Sequence, residues 1–392
     1  MSTTSTHYDV AVVGGGIMGM SAAYSLLKRG IKRVEVLERH TVAHDRAAST
    51  DWSKAIRYEY ADNLQYSQMV GRSIELWREL EAQSGEGLYV NCGVACWGRG
   101  DIDLAHARRS FITVSKMGIP IREVSPEELC RIYPQFAQAD ISYATVNPEG
   151  GFLRAADCVR AAAKLILSLG GRIRENSTVE GMEVGDGGVM LRLENGSTVH
   201  AGRAVLTPGA WGSTLFPQLG YQPQLTANRL QVVYMEGLGQ EFAPGPFPVY
   251  LNLDHDFYGF PLDANGLLKT SLHLSGPVID PTEVQTPDPA FEETILDFLR
   301  TYIPKAALGT LKMSRMCMYA MTPNEDFILD RFPNTSNVVL GAGFSGHGFK
   351  FGPLIGELLA DLLLGNEPEF PLDRFSIAAN GLSHLDTDHA ML

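Results

Sequence analysis

Cys317 stands in "SRMCMYAMTPNEDFILD", Ser314 to Asp330, between two methionines and with no other cysteine nearby. Such a thiol can be an inert apolar side chain or, as the thiolate, a nucleophile that forms a covalent bond. Two cationic residues raise a second chemistry. Arg57 in "SKAIRYEY" offers a planar fork matched to a carboxylate, and Lys350 in "GHGFKF" offers a point charge that can sit beside it. Taken singly, each has an ordinary explanation, a surface salt bridge for Arg57 and a solvated turn for Lys350. A third group lies in "DFYGFPLDANGLLKTSLHLSG", where Asn265-Gly266 predicts a hairpin turn. Period-two alternation then puts Lys269, Ser271 and His273 on one strand face, which would ordinarily meet solvent.

The elements that must position these residues are clearest in "YDVAVVGGGIMGMSAAYSLLKRGIKRVEVLER". Val10 to Val13 suits a strand buried on both faces. Ile17, Met20, Tyr24 and Leu27 form one apolar helical stripe that ends before Gly30. "RVEVLE" predicts the next strand, and Glu38 closes it, placed to accept hydrogen bonds from an adenosine ribose. Gly14 allows the tight turn, Gly16 lets backbone N–H groups approach a pyrophosphate, and Gly19 permits close helix packing. Three glycines alone would mean little. Strand, glycines, helix, strand and acid in this order predict a bound dinucleotide.

Later segments repeat the pattern. "LRAADCVRAAAKLILSLGG" predicts a helix, "RIRENSTVEGMEV" a strand, Gly188 to Val199 a hairpin and "RAVLTPGAW" a strand returning to a glycine turn. "NVVLGAG" is a further apolar strand, leading through "FSGHGFKFGP" into a helix with Pro353 in its first turn and Gly365 at its stop. The N-terminus of that helix can stabilise an anion. Residues 86–145 and 221–310 lack the alternating strand and helix rhythm and are richer in Pro and aromatics. The predicted fold is α/β plus α+β. A discontinuous Rossmann-type domain (1–85, 146–220 and 311–392) carries an inserted mixed-sheet substrate domain (86–145 and 221–310).

At 392 residues, with 45% hydrophobic and 20% charged residues, the chain suits about two folded domains rather than disorder. Its 32 Lys+Arg against 45 Asp+Glu give −13, a field that repels nucleic acid and anionic membrane. An anionic substrate must therefore find a local cationic pocket. The five cysteines, Cys92, Cys96, Cys130, Cys158 and Cys317, show no disulfide framework. Cys92 and Cys96 lack further ligands at metal spacing and read as core thiols, so no metal is expected. No apolar run reaches about 18 residues, and a strand starting at Tyr8 leaves no room for a signal peptide, so a cytoplasmic location is expected. The terminal "AML" shares only its leucine with a peroxisomal tripeptide.

Together, "YDVAVVGGGIMGMSAAYSLLKRG", "VEVLER", "AIRYEYAD", "FYGFPL", "LLKTSLH", "CMYAMTPNEDFILD" and "GFSGHGFKFGP" resemble the monomeric sarcosine oxidase family, FAD enzymes of the D-amino-acid oxidase superfamily, from Tyr8 to about Leu364. The resemblance implies FAD joined through a thioether from Cys317 to the 8α carbon of its ring. It implies that Arg57 and Lys350 hold the substrate carboxylate, with Tyr319 and His347 beside it. Lys269 would sit over the flavin with a water and mark reaction with oxygen, while His273 and Tyr258 line the site. Cofactor contacts carry over to Gly14, Gly16, Ile17, Met18, Gly19, Glu38, Arg39, Ser53, Lys54, Val179, Gly209, Gly343, Gly346, His347, Gly348, Phe349 and Lys350.

The chain departs from the family in several places. Lys54 stands for an arginine, Ser53 for a threonine, Ser49 and Thr50 for histidines, and Val249 for a bulkier methionine, which implies a roomier pocket. Asn324-Glu325-Asp326 also replaces a plainer Asp-containing spacing. The implied function is FAD-dependent oxidation of a secondary amine, an N-substituted, sarcosine-like amino acid, to an imine, with O2 reduced to H2O2 by a monomer. Alternatives are a cyclic imino acid, a larger N-substituted amino acid, or a flavin dehydrogenase with a non-oxygen acceptor.

Overall fold

The computed structural model describes residues 7–98, 101–185, 187–253, 256–273, 276–380 and 382–384, so the terminal tripeptide lies outside the described residues. His7–Val13 is the centre of a parallel arrangement, flanked by Val34–Leu37 and Thr198–Leu206, with Val12 opposite both Val36 and Val205. Arg172–Arg174 extends the sheet beyond Val34–Leu37. Thr198–Leu206 is long enough to serve two neighbours. Its first half pairs antiparallel with Gly188–Leu193, and Ala204 to Leu206 pair in parallel with Val338–Ala342. Val179–Gly185 and Ile328–Arg331 complete eight strands.

The helices Ile17–Lys28, Leu64–Ser84, Ala155–Ser168 and Gly352–Leu364 contribute to one hydrophobic core with alternate residues of these strands, such as Val10, Val12, Val34, Val36 and Val205. Ala11, Val13, Ala204 and Leu206 point the other way and join Leu215 and Phe216 in the opposite core. A strand flanked by apolar cores on both sides has little use for polar alternation, which explains the continuous apolar run in the sequence.

A second eight-stranded sheet runs in the order Thr310–Met321, Thr226–Glu236, Leu268–Leu272, Phe257–Gly259, Val249–Asn252, Val94–Gly98, Tyr143–Asn147, Arg122–Val124. Its pairings are antiparallel except that of Val249–Asn252 with Val94–Gly98. A small sheet of Lys54–Ile56, Gly151–Leu153 and Tyr89–Asn91 carries the chain toward Arg57.

Two expectations need correction. Thr310–Met321 pairs with Thr226–Glu236 along its length, so the boundary at 311 cuts off a strand of the second sheet, and the boundary at 146 splits Tyr143–Asn147. "RIRENSTVEGMEV" is two strands at opposite edges of the first sheet rather than one. The break is at Asn176, which takes φ +51° while its N–H donates to the His40 carbonyl. Asn tolerates that conformation better than most residues.

Candidate active site

Two cavities meet beneath the loop that joins Val338–Ala342 to Gly352–Leu364. The first, about 1150 Å3 of empty space, is lined by Gly14, Gly16, Ile17, Met18, Glu38, Arg39, Lys54, Val179, Gly209, Gly346, Gly348 and Phe349 among others. The second, about 1820 Å3 and open to solvent, is lined by Arg57, Tyr258, Lys269, His273, Tyr319, His347 and Lys350. Lys54, Tyr319, Gly346 and Phe349 line both. The sequence-predicted residues therefore fall largely into two adjoining groups.

The first cavity fits a dinucleotide. Gly14 has φ +101°, and a Cβ there would lie 2.2 Å from the Thr207 carbonyl oxygen. The strand can thus turn only as glycine before the helix Ile17–Lys28 begins. The Glu38 carboxylate accepts the Gly15 N–H at 2.7 Å and the His40 N–H at 2.8 Å, fixing an acid beside the turn where a ribose would lie. Gly19 lies under the cavity rather than on its wall, since a Cβ there would be 1.9 Å from the Gly14 carbonyl oxygen. Ser53 and Gly343 also stand behind the lining. Ser53 is buried, and Gly343 turns at φ +63° against Thr322.

Cys317 is buried in a small apolar cluster with Leu230, Val232, Tyr234, Leu267 and Tyr319, behind the cavity wall. The Lys54 ammonium is 3.9 Å from its sulfur. Met318, the next residue along the strand, reaches the first cavity.

Lys269 is 2% exposed, and its ammonium donates to the Asp51 carboxylate and, at 2.8 Å, to the Ser53 carbonyl. It also lies 4.7 Å from the Phe260 ring centroid. Asp51 additionally accepts from the Tyr234 hydroxyl and faces Lys54 at 3.7 Å. Burial lowers Lys269 to about 8, with Asp51 opposing that fall and Lys54 adding to it. Burial also works against the Asp51 charge, but Lys269 and Lys54 override it and hold the carboxyl well below the usual range. Two ammonium groups beside one carboxylate account for the Asp51 direction, whereas burial decides that of Lys269. The polar strand face carrying Lys269 and Ser271 is buried, against the ordinary expectation for such a face.

Opposite stands the cationic pair. The Arg57 guanidinium stacks 4.9 Å from the Tyr60 ring centroid and makes no hydrogen bond or ion pair among the described residues. Lys350 is buried and donates to the Tyr60 hydroxyl at 2.8 Å and the His347 carbonyl at 2.7 Å. Burial first, and Arg57 second, push its pKa well below the usual lysine value, with Glu59 partly opposing. Tyr60 is 3.2 Å from His347 Nδ1, and His347 Nε2 is 3.0 Å from the Glu325 carbonyl. Because a carbonyl only accepts, Nε2 carries the hydrogen, so Tyr60 donates to Nδ1. The Trp77 indole donates to the Lys350 carbonyl at 2.7 Å, tying the loop to the helix Leu64–Ser84.

His273 and Tyr258 complete the wall, with ring centroids 6.3 Å apart. Crowding by the cavity walls, then Arg57 and Lys350, lower His273 to about 4, although the residue is exposed to the open cavity. Burial raises Tyr258 to about 12. At neutral pH both are uncharged groups that can exchange hydrogen bonds with a ligand.

Residues 9–362 match the family described as FAD dependent oxidoreductase. The chain belongs to that family. It is an FAD-dependent oxidoreductase acting on CH–NH donors. Over 380 residues it is 31% identical to monomeric sarcosine oxidase from Bacillus sp. (strain B-0618), covering 95% of this chain and 96% of that one. Over 378 residues it is 29% identical to N-methyl-L-tryptophan oxidase from Salmonella agona (strain SL483), covering 95% and 98%. L-proline dehydrogenase from P. horikoshii superposes with a TM-score of 0.84 at 22% identity, covering 95% and 97%, a likeness of fold. No helix among the described residues of this oxidoreductase is long and apolar enough to cross a membrane.

Asp51, Glu59 and Tyr60 were missed as members of the site by sequence reasoning. Glu59 and Tyr60 stand within two and three residues of Arg57, and that proximity was the available signal. Asp51 offered none, because its partner Lys269 is 218 positions away.

Proposed function

We propose that the protein is an FAD-dependent oxidase of secondary amines, converting the C–N bond of an N-substituted amino acid to an imine with O2 reduced to H2O2. The observation that carries this reading is the cationic pair: Arg57 without a counter-ion and buried Lys350 line a cavity continuous with the dinucleotide cradle. Two such charges call for an anion, and a carboxylate matches the guanidinium fork. FAD, when bound, supplies the acceptor for the two electrons removed from the C–N bond.

The chain's own residues would then bind and orient. Arg57 and Lys350 hold the carboxylate, and Tyr60 braces both. That anchoring turns a diffusional encounter into a positioned one. Neutral His273 and Tyr258 favour the uncharged amine, the form with an available lone pair. Lys269, held by Asp51 and Ser53 close to the junction of the cavities, supplies the positive charge that assists oxygen. We further propose a monomer whose FAD is tethered through Cys317. The small Val249 side chain on the wall of the second cavity favours an N-substituent larger than methyl.

Anaerobic mixing with sarcosine, N-methyl, cyclic and N-carboxyalkyl amino acids should bleach the flavin with at least one of them, and admitting air should restore the colour with stoichiometric peroxide. Recovery without peroxide would overturn the oxidase assignment. Acid precipitation tests the tether separately. Yellow colour should stay with the pellet and be lost from it in Cys317→Ser; a colourless wild-type pellet would remove the covalent bond while leaving the oxidase reading intact.

A further inference from the structure

Glu59 lines the second cavity but not the first, at 5% exposure. One carboxylate oxygen accepts from the Asn147 side chain at 2.9 Å, and the other, Oε2, has no hydrogen-bond partner. A buried carboxylate oxygen left without a donor is costly, more so than a neutral group. Glu59 feels the charges of both Arg57 and Lys350, yet forms no ion pair within 4.0 Å with either among the described residues. Burial raises its pKa, with Asn147 and Arg57 acting the other way. The outer cavity is thus lined by two cationic groups and, beside them, one acid whose second oxygen is buried in the wall without a donor.

We infer that Glu59 is the ammonium subsite of a pocket for a zwitterionic α-amino-acid head group, and that the amine oxidised lies at the far end of that amino acid's side chain. The inference rests on the proposed carboxylate clamp at Arg57 and Lys350, and it names the substrate class. A carboxylate alone would satisfy the cations and leave Glu59 unpaired. A head group bearing an ammonium next to its carboxylate satisfies all three. The head then occupies the part of the cavity lined by Arg57, Glu59 and Lys350, and the side chain extends toward the junction marked by Lys54, Tyr319, Gly346 and Phe349.

Calorimetric titration of the holoenzyme under anaerobic conditions with DL-norleucine and with hexanoate compares the same carbon chain with and without the ammonium. Norleucine should bind at least tenfold more tightly, and Glu59→Gln should shrink the gap to threefold or less. A carboxyl that merely supports the fold would shift both ligands together. Equal binding to the wild type, or a gap that survives Glu59→Gln, would overturn the inference. Should Glu59→Gln not fold, the wild type alone decides through flavin bleaching. Nε-methyl-lysine should exceed 6-(methylamino)hexanoate at least tenfold in kcat/KM. Bleaching by sarcosine but by neither long-chain amine would sink the zwitterion subsite and keep the oxidase. If no secondary amine bleached the flavin, the oxidase reading would fall, and the norleucine and hexanoate affinities would still judge Glu59.

Discussion

Lys269 is the residue whose charge state is most open to test. Its ammonium is buried, paired with Asp51, and lowered to about 8 by a burial cost that the carboxylate only partly offsets. The role with oxygen proposed for it requires the positive charge. The oxygen half-reaction should therefore decline as pH rises through about 8, while the reductive half-reaction follows a different profile. Folding linkage has the opposite sense for this group. Between about 8 and its unfolded value of 10.5 the unfolded chain binds the extra proton, so this residue's penalty on stability is full below that window and fades as pH rises through it. Lys269→Met should slow reoxidation on the order of 100-fold, as expected when a preorganised charge is removed, and leave reduction within a few-fold. Stopped-flow measurement of the two half-reactions decides it, and equal losses in both would count against the assignment.

At the scale of elements, the helices Ile17–Lys28 and Gly352–Leu364 approach closely at Gly356, where a Cβ would lie 2.4 Å from the Ser21 carbonyl carbon. Helix propensity alone says that Gly356→Ala should stabilise by about 0.5–1 kcal/mol. Backbone cannot move aside as a side-chain tip can, so the contact wins, with an expected net loss of about 1–3 kcal/mol. The thermal midpoint should fall, and the flavin absorption bands should shift because Ile17 and Met18 line the first cavity. An unchanged midpoint would mean that the helices separate at little cost.

The same elements show what the sequence could convey. The glycine turn, its helix and Glu38 are specified within one short stretch, so local pattern suffices. Arg57, Lys269 and Lys350 were legible through motifs, but their convergence depends on three separate chain segments. The Cys317 motif is visible in its own residues, whereas the strand that carries it, Thr310–Met321, and the sheet it joins are decided by pairing with Thr226–Glu236. Asp51 and the unpaired oxygen of Glu59 exist as features only once distant side chains have packed.

For the whole molecule, the opposing effects are a formal charge of −13 and a cationic pair inside a cavity. The net charge repels an approaching carboxylate over a range set by the Debye length, about 30 Å at 0.01 M salt and about 8 Å at 0.15 M. Arg57 and Lys350 act at close range, where salt screens them much less. Raising ionic strength should therefore remove repulsion during approach more than attraction after entry. Stopped-flow association of hexanoate with the holoenzyme should accelerate at least about twofold between those salt concentrations. Hexanamide, with no charge to repel, should associate at a rate independent of salt, while the hexanoate dissociation rate should change less than its association rate. If hexanoate instead associates more slowly as salt is added, the field of Arg57 and Lys350 reaches beyond the cavity mouth and outweighs the molecule's net charge during approach.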